Sequence, residues 1–209
     1  MSATKYRVGQ SPAPQLLSQG SFMIEIATER LILRLVLQSA LLATANDETA
    51  KTSELLGGQI PDAWFDDPWV ARRLKQIQDN PNYEPWSIRA IQLRNTAEVI
   101  GKINCHDEPA PYLWNGRISR SIELGYRIFT PWQRQGFATE AITGYCSWAA
   151  SLGVESLVLS ISPNNTASVR LAQKLSAVQI GSQIDDIDGP EDIYFMSAIE
   201  RIGNTARRR

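Results

Sequence analysis

Apolar and polar positions change period several times along the chain, and each change marks an element. Arg30 to Leu37 (RLILRLVL) is rich in branched residues and short enough for a first strand. A helical stretch follows from about Gln38 to Leu56 and ends at Gly57-Gly58. Ile60 to Trp69 holds two Pro, three Asp and two Trp, which predicts an ordered loop over apolar surface. Pro68 opens a second helix that runs to about Asp79, and Asn80-Pro81 stops it.

From Pro85 the period becomes two. Trp86, Ile88, Ala90 and Gln92 alternate with Ser87, Arg89, Ile91 and Leu93, and Glu98 to Cys105 gives a second strand joined to the first by Arg94-Asn95-Thr96, a hairpin. Asp107 to Gly116 reads as a long loop before the strand Arg120 to Phe129, in which Ile122, Leu124, Tyr126 and Ile128 share one face. After Thr130-Pro131, Ala138, Ala141, Tyr145, Trp148 and Leu152 recur at spacings of three and four, which predicts an amphipathic helix closed by Gly153. A strand from Ser156 to Ser162 follows, then a helix from Asn165 to about Leu175 begun by the polar residues Asn164, Asn165 and Thr166. Strands near Val178 to Ile184 and Asp192 to Ile199 flank an acidic turn, Asp185 to Glu191. This order predicts an α+β domain with a mixed sheet covered by helices.

Composition narrows the class. In 209 residues, 43% hydrophobic and 21% charged, one domain with additions is expected: a flexible arm over 1–22, a single domain over 23–200 and a basic tail over 201–209 containing Arg201 and Arg207 to Arg209. A chain of this size buries roughly 70% of its unfolded surface, so it needs no disulfide or metal to hold a core. Lys and Arg total 21 against 22 Asp and Glu, so no overall field recruits nucleic acid or an anionic membrane. Cys105 and Cys146 have no CxxC partner and read as reduced thiols. The apolar stretch Leu31 to Leu42 is broken by Arg34 and Gln38 and is too short for a bilayer; residues 1–21 lack the apolar block of a secretory signal. A cytoplasmic location is expected.

The stretch that bears chemistry is Gln133-Arg134-Gln135-Gly136-Phe137-Ala138-Thr139, between an alternating strand and an amphipathic helix. A tight turn there exposes backbone N–H groups at a helix start, where the helix dipole favours an anion. Gly136 removes a side chain where a phosphate would approach, and Ala138 keeps the next turn small, which suits a pyrophosphate. The Lys-Ser/Thr ending of a P-loop and the third Gly of a dinucleotide fingerprint are missing. A Gly at a strand-to-helix turn is also ordinary turn chemistry.

Gln133-x-x-Gly136-x-Ala138 resembles the Q/R-x-x-G-x-G/A signature of the GNAT superfamily of acyl-CoA-dependent N-acyltransferases. Glu123-Leu-Gly-Tyr-Arg-Ile-Phe-Thr-Pro-Trp-Gln, Ala138-Thr-Glu-Ala141, Asn165-x-Ala-Ser168 and the opening Thr28-Glu-Arg-Leu-Ile-Leu-Arg34 resemble the branch of the ribosomal-protein-alanine N-acetyltransferases, from about Thr28 to Ile199. The resemblance implies a splayed, mostly antiparallel sheet of about seven strands with helices on both faces. It also implies acetyl-CoA as co-substrate and no metal. The pantetheine arm would lie along Ile128, Phe129 and Thr130, and the pyrophosphate on the amides from Arg134 to Thr139, with Gln133, Gln135, Gly136, Phe137 and Ala138 in the cradle. Asn165 would reach the arm, and Ser168 would lie one turn further in. Asn165 is equally a helix cap. Where relatives read K-L-G-F, this chain reads Lys174-Leu175-Ser176-Ala177, which loses a left-handed cap and a packing aromatic.

Acyl transfer to an amine needs a neutral nucleophile, whereas a lysine amine has a pKa of about 10.4 and a terminal amine about 8. Glu123, on the polar side of its strand and at a place where many relatives hold a catalytic Glu, is the first candidate base; a cross-strand charge is its plainer reading. His106, the sole His, and a water are alternatives. The usual family acid, a Tyr in the last helix, is absent between Asn165 and Leu175, which leaves Ser168 or a water. Trp64, Phe65, Trp69, Trp86, Tyr112 and Trp114 either line an acceptor pocket or plug the core. Asp185, Asp186, Asp188, Glu191 and Asp192 form a solvated turn or draw in a cationic amine. The expected partner is an amine, on a small molecule or a peptide or protein N-terminus, with a homodimer as candidate assembly through an edge strand. The alternatives are a non-catalytic CoA-binding module on the same fold and an interaction protein in which the loop is only a turn.

Overall fold

The computed structural model describes residues 25–66, 69–186 and 188–198. The expected arm, Pro68, Ile199 and the basic tail lie outside these residues. The described residues form two compact units, one of residues 25–108 and 125–145 and the other of 109–124 and 146–198. The fold is mixed and mostly antiparallel, with nine strands among the described residues against the expected seven or so.

In the first unit, β1 (Glu25–Ala27) pairs antiparallel with β2 (Leu31–Leu35), β2 with β3 (Ile88–Leu93) and β3 with β4 (Val99–Cys105). β1 is one of the two extra strands. It lies before the first apolar run and is closed on β2 by Thr28, whose hydroxyl accepts from the Leu31 N–H at 3.1 Å. Leu31, Leu33 and Leu35 are buried at every second position of β2. β3 and β4 are buried on both faces, so the alternation at Trp86 to Leu93 separates two covered faces rather than core from water. Arg89 is fully buried and donates to the carbonyls of Leu33 at 3.4 Å and Pro85 at 3.3 Å; burial lowers its pKa.

The expected helix from Gln38 to Leu56 is two helices, α1 (Gln38–Ala45) and α2 (Thr49–Leu56). Asp47 breaks it at φ 55°, a left-handed conformation that Asp and Asn tolerate better than most residues. Gly57 caps α2 at φ 63°, as the Gly pair predicts. The loop after it holds the 3-10 turn Asp62–Trp64, and Trp64 is buried, donating to the Thr44 hydroxyl at 3.2 Å. α3 (Trp69–Asp79) buries Trp69, Val70, Arg73 and Ile77, and the 3-10 stretch Pro81–Trp86 follows where Asn80-Pro81 stops it.

In the second unit, β5 (Ala110–Trp114) pairs antiparallel with the start of β6 (Arg117–Ile128), which corrects the long loop expected over Asp107 to Gly116. Asn115 and Gly116, at φ 48° and 72°, make the tight hairpin turn. β6 residues Ser121 to Glu123 pair parallel with β7 (Ser156–Ile161), β7 pairs antiparallel with β9 (Gly189–Ser197), and β8 (Val178–Asp185) is the edge strand beside β9. The acidic turn is shorter than expected, because β9 begins at Gly189 rather than Asp192.

A parallel neighbour needs a crossover, and the chain between β6 and β7 supplies it with α4 (Phe137–Ser151). Its residues Ala141, Tyr145 and Trp148 are buried as predicted, while Ala138 is partly buried; Leu152 lies past its end and is 41% exposed. Gly153 closes it at φ 81°. α5 (Thr166–Lys174) starts after Asn165, not at it.

Candidate active site

β6 ends against β4, where the Phe129 N–H donates to the Ile100 carbonyl at 2.9 Å. Gly101 of β4 permits this approach: a Cβ on it would meet the Arg127 carbonyl oxygen at 2.2 Å. Beyond β6 the chain folds on itself. The Trp132 N–H donates to Phe129 O at 3.0 Å, Gln133 N–H to Thr130 O at 3.3 Å, and the Gln133 side-chain amide to Ile128 O at 2.8 Å. The three carbonyls of Ile128 to Thr130 are thereby engaged in shaping the turn.

Arg134 at φ 61° and Gly136 at φ 85° then reverse the backbone into α4. Left-handed residues in such a turn gather successive N–H groups. Among the described residues, none of the six backbone N–H groups from Arg134 to Thr139 donates to a backbone carbonyl; the first that does is Glu140, to Gly136 O at 3.1 Å. This run of donors at the start of a 15-residue helix fits the pyrophosphate of a coenzyme.

The cradle has a support that the sequence motif does not contain. The Glu140 carboxylate accepts from the Thr28 hydroxyl at 2.6 Å, the Arg30 N–H at 2.7 Å and the Arg30 Nε at 2.6 Å. Arg30 Nη1 also donates to Gln135 O at 3.2 Å, and the guanidinium lies 4.5 Å from the Phe137 ring centroid. Burial would raise the Glu140 pKa, but the bonds from Thr28 and Arg30 and the Arg30 charge outweigh it and hold the carboxyl below its usual range.

In the other unit, Glu123 is half-buried on β6 and accepts from the Ser160 hydroxyl at 2.8 Å. Tyr112 is buried, and burial together with the Glu123 charge raises its pKa. The Asn165 side chain accepts from the Ser168 N–H at 3.1 Å, so the cap reading of Asn165 holds. The missing glycine after α5 is replaced by Ser176 at φ 54°, with Ser176 N–H to Gln173 O at 2.9 Å and Ala177 N–H to Ala172 O at 3.0 Å.

The six candidate aromatics do not act as one lining. In the first unit Trp64 packs edge-on to Trp69 at 5.1 Å and both are buried, as is Trp86; in the second, Trp114 lies 4.7 Å from Phe195 beside buried Tyr112. Trp64, Trp69, Trp86 and Tyr112 are buried in the cores, whereas Phe65 and Trp114 are half-buried. His106 is half-buried, and its backbone carbonyl accepts from Gln76 at 2.9 Å. In the acidic hairpin, Asp185 accepts from the Asp188 N–H at 2.9 Å and Glu191 from Gln183 at 3.0 Å, a solvated turn. No group of three or more His, Cys, Asp or Glu among the described residues is arranged to hold a metal, and no helix there is long and apolar enough to cross a membrane. Arg30 and Glu140 escaped the sequence reading as site residues: 110 positions apart, they appear only as letters of two separate motifs.

A strand, an amide-rich turn and an amphipathic helix in an α+β frame leave a run of open backbone N–H groups at the start of α4. The chain belongs to the GNAT acetyltransferases: the acetyltransferase (GNAT) domain matches residues 30–178. Among solved structures, the ribosomal-protein-S5-alanine acetyltransferase of Vibrio fischeri is similar, with a TM-score of 0.58 and 15% identity over 85% of this chain and 98% of that one. A chimera of spermidine N-acetyltransferase SpeG from Vibrio cholerae and hSSAT has a TM-score of 0.56 and 14% identity over 83% and 98%. The microcin C7 self-immunity acetyltransferase MccE, solved with acetyl-CoA and AMP, has a TM-score of 0.51 and 12% identity over 81% and 93%. At these identities the likeness is one of fold. No curated protein matches the chain in sequence.

Proposed function

We propose that the protein transfers the acetyl group of acetyl-CoA to a primary amine. The observation that supports this best is the run of six backbone N–H groups from Arg134 to Thr139 at the start of α4. In this reading Gln133 holds the turn through Ile128 O, Gln135 and Gly136 shape it, and Phe137, Ala138 and Thr139 present the first-turn amides. Thr130 and the flanking Ile128 and Phe129 border the pantetheine arm. Acetyl-CoA supplies an activated acetyl thioester. The amine nitrogen forms the new C–N bond to the acetyl carbon, the C–S bond breaks, and the amine proton passes to a base.

Glu123 is the base in this proposal: it is half-buried on β6, and the Ser160 hydroxyl fixes its carboxylate. The departing thiolate, with a pKa of about 8.5 when free, takes its proton from Ser168 or a water. The acceptor is an amine on a small molecule or at a peptide or protein N-terminus. The reading carries a cytoplasmic location, in keeping with two buried thiols. One observation favours a second reading, CoA binding without turnover: α5 carries no Tyr to act as acid.

Thiol release from acetyl-CoA with amines, amino acids and N-terminal peptides separates the two, with Glu123→Gln and Gly136→Trp beside the unaltered chain. The enzyme reading expects release that both variants lose, and CoA binding that only Gly136→Trp loses. Binding with no release across the panel supports the second reading; no CoA binding refutes both.

A further inference from the structure

Glu140 lies in the first turn of α4, directly after the run of open N–H groups. A carboxylate there favours the helix but opposes any second anion at the same amides. A helix start that binds a pyrophosphate therefore needs this charge compensated. Arg30 compensates it: its Nε and backbone N–H both reach the carboxylate, at 2.6 Å and 2.7 Å.

The same guanidinium touches three successive residues of the cradle. It donates to Gln135 O at 3.2 Å, its Nη2 lies 3.4 Å from where a Cβ on Gly136 would stand, and it stacks 4.5 Å from the Phe137 ring centroid. Its own position is set by the β1–β2 turn. Thr28 in that turn donates to Glu140 at 2.6 Å and packs so closely on α4 that a Cβ on Gly144 would meet its Cγ2 at 2.5 Å. The turn, the guanidinium and the first helical turn are locked to one another.

We propose that Arg30 is a positioning residue for phosphate recognition, acting in two ways: it fixes the Gln135–Phe137 backbone, and it cancels the Glu140 charge that would repel the bound anion. This rests on the acetyl-CoA reading above. The two actions separate experimentally, because only the second depends on Glu140 being charged. Removing the Arg30 side chain leaves a carboxylate without its counter-cation about one helical turn from the anion, which by Coulomb's law in a water-screened site weakens binding about tenfold. Removing the carboxylate as well restores the electrostatic share and leaves the mechanical one.

Coenzyme A binding by calorimetry at 50 mM and 500 mM salt, on the full chain and on Arg30→Ala, Arg30→Lys, Glu140→Gln and Arg30→Ala/Glu140→Gln, tests this, with circular dichroism confirming that each variant is folded. Arg30→Ala is expected to raise Kd about tenfold at low salt and by less at high salt, since screening weakens the repulsion. Arg30→Lys, which keeps the charge but not the fork, is expected to lie between. The double variant is expected to bind about threefold more tightly than Arg30→Ala despite having lost more contacts. A purely structural role for Arg30 gives a double variant no better than the single one, and that result overturns the proposal, as does Arg30→Ala binding within twofold of the unaltered chain. Failure of the unaltered chain to bind coenzyme A refutes the acetyl-CoA reading instead.

Discussion

Gly101→Ala adds one methyl group where β4 passes the end of β6. The new Cβ would lie 2.2 Å from the Arg127 carbonyl oxygen and 3.1 Å from Ile128 Cα, where ordinary contact begins at 3.4 Å. Both neighbours are backbone, so no rotamer change relieves the overlap and β6 must move by about 1 Å. Overpacking of this kind costs about 1–3 kcal/mol, and a rigid neighbour places it at about 3 kcal/mol. Loss of glycine's extra freedom in the unfolded chain returns about 0.5–1 kcal/mol, for a net loss of about 2 kcal/mol. In a chain of this length that lowers Tm by about 4–8 °C. The displaced strand also carries the Ile128 carbonyl that anchors Gln133, so coenzyme A affinity is expected to fall with stability. Thermal and urea unfolding followed by circular dichroism, with calorimetry of coenzyme A binding, measure both. A Tm within 2 °C of the unaltered chain would refute the argument that this glycine is required by contact with β6.

Four further substitutions probe the turn, the cap, the ion pair and a buried tyrosine. A Cβ on Gly136→Ala comes no closer than 3.4 Å to Arg30 Nη2, an ordinary contact, so its cost is conformational, about 1 kcal/mol for a left-handed alanine, and urea unfolding should show that small loss. Ser176→Gly removes the strain of a left-handed serine at φ 54° and is expected to stabilise the protein by up to about 1 kcal/mol, read as a higher urea midpoint with unchanged slope. Glu140 has a lowered pKa, so between that value and the ordinary glutamate pKa the unfolded chain binds the extra proton. Its stabilising contribution is therefore full above the ordinary value and disappears as pH falls through the lowered one, and Glu140→Gln should flatten the acid limb of a Tm-against-pH curve. Tyr83, raised to about 12 by burial, has the opposite sense: above pH 10 the unfolded chain loses its proton first, stability falls, and Tyr83→Phe should reduce that alkaline slope.

The sequence expectations succeeded where local chemistry decides the structure. Gly57, Asn80-Pro81 and Gly153 end their helices because a left-handed glycine or a missing N–H acts on its own turn, whatever packs around it. They failed where partners are distant. β1 has three residues, too few to show a period, and exists because β2 offers it an edge. β5 contains Pro111 and directly follows Pro109, prolines that weigh against a strand, yet Pro111 is exposed and the Asn115-Gly116 turn fixes the register with β6. The turn signal was present and outweighed the prolines. Asp47 divided a helix whose apolar pattern ran past it, a case where left-handed tolerance overrides periodicity.

The site divides along the same line. The tight turn from Gln133 to Gly136 and the helix start after it were legible because their geometry is backbone geometry, which a Gly at a strand-to-helix boundary announces. The Arg30–Glu140 pair was not, since opposite charges 110 residues apart carry no local signal and each has an ordinary reading as surface charge. Composition marks both residues simply as polar. A carboxylate in the first turn of a helix that is otherwise arranged to receive an anion is a contradiction visible in the sequence itself: Glu140 follows the open amides by a single residue. Its resolution requires a cation from elsewhere in the chain. Where such a conflict is written into a motif, the residue that resolves it belongs to the site even when it touches no ligand.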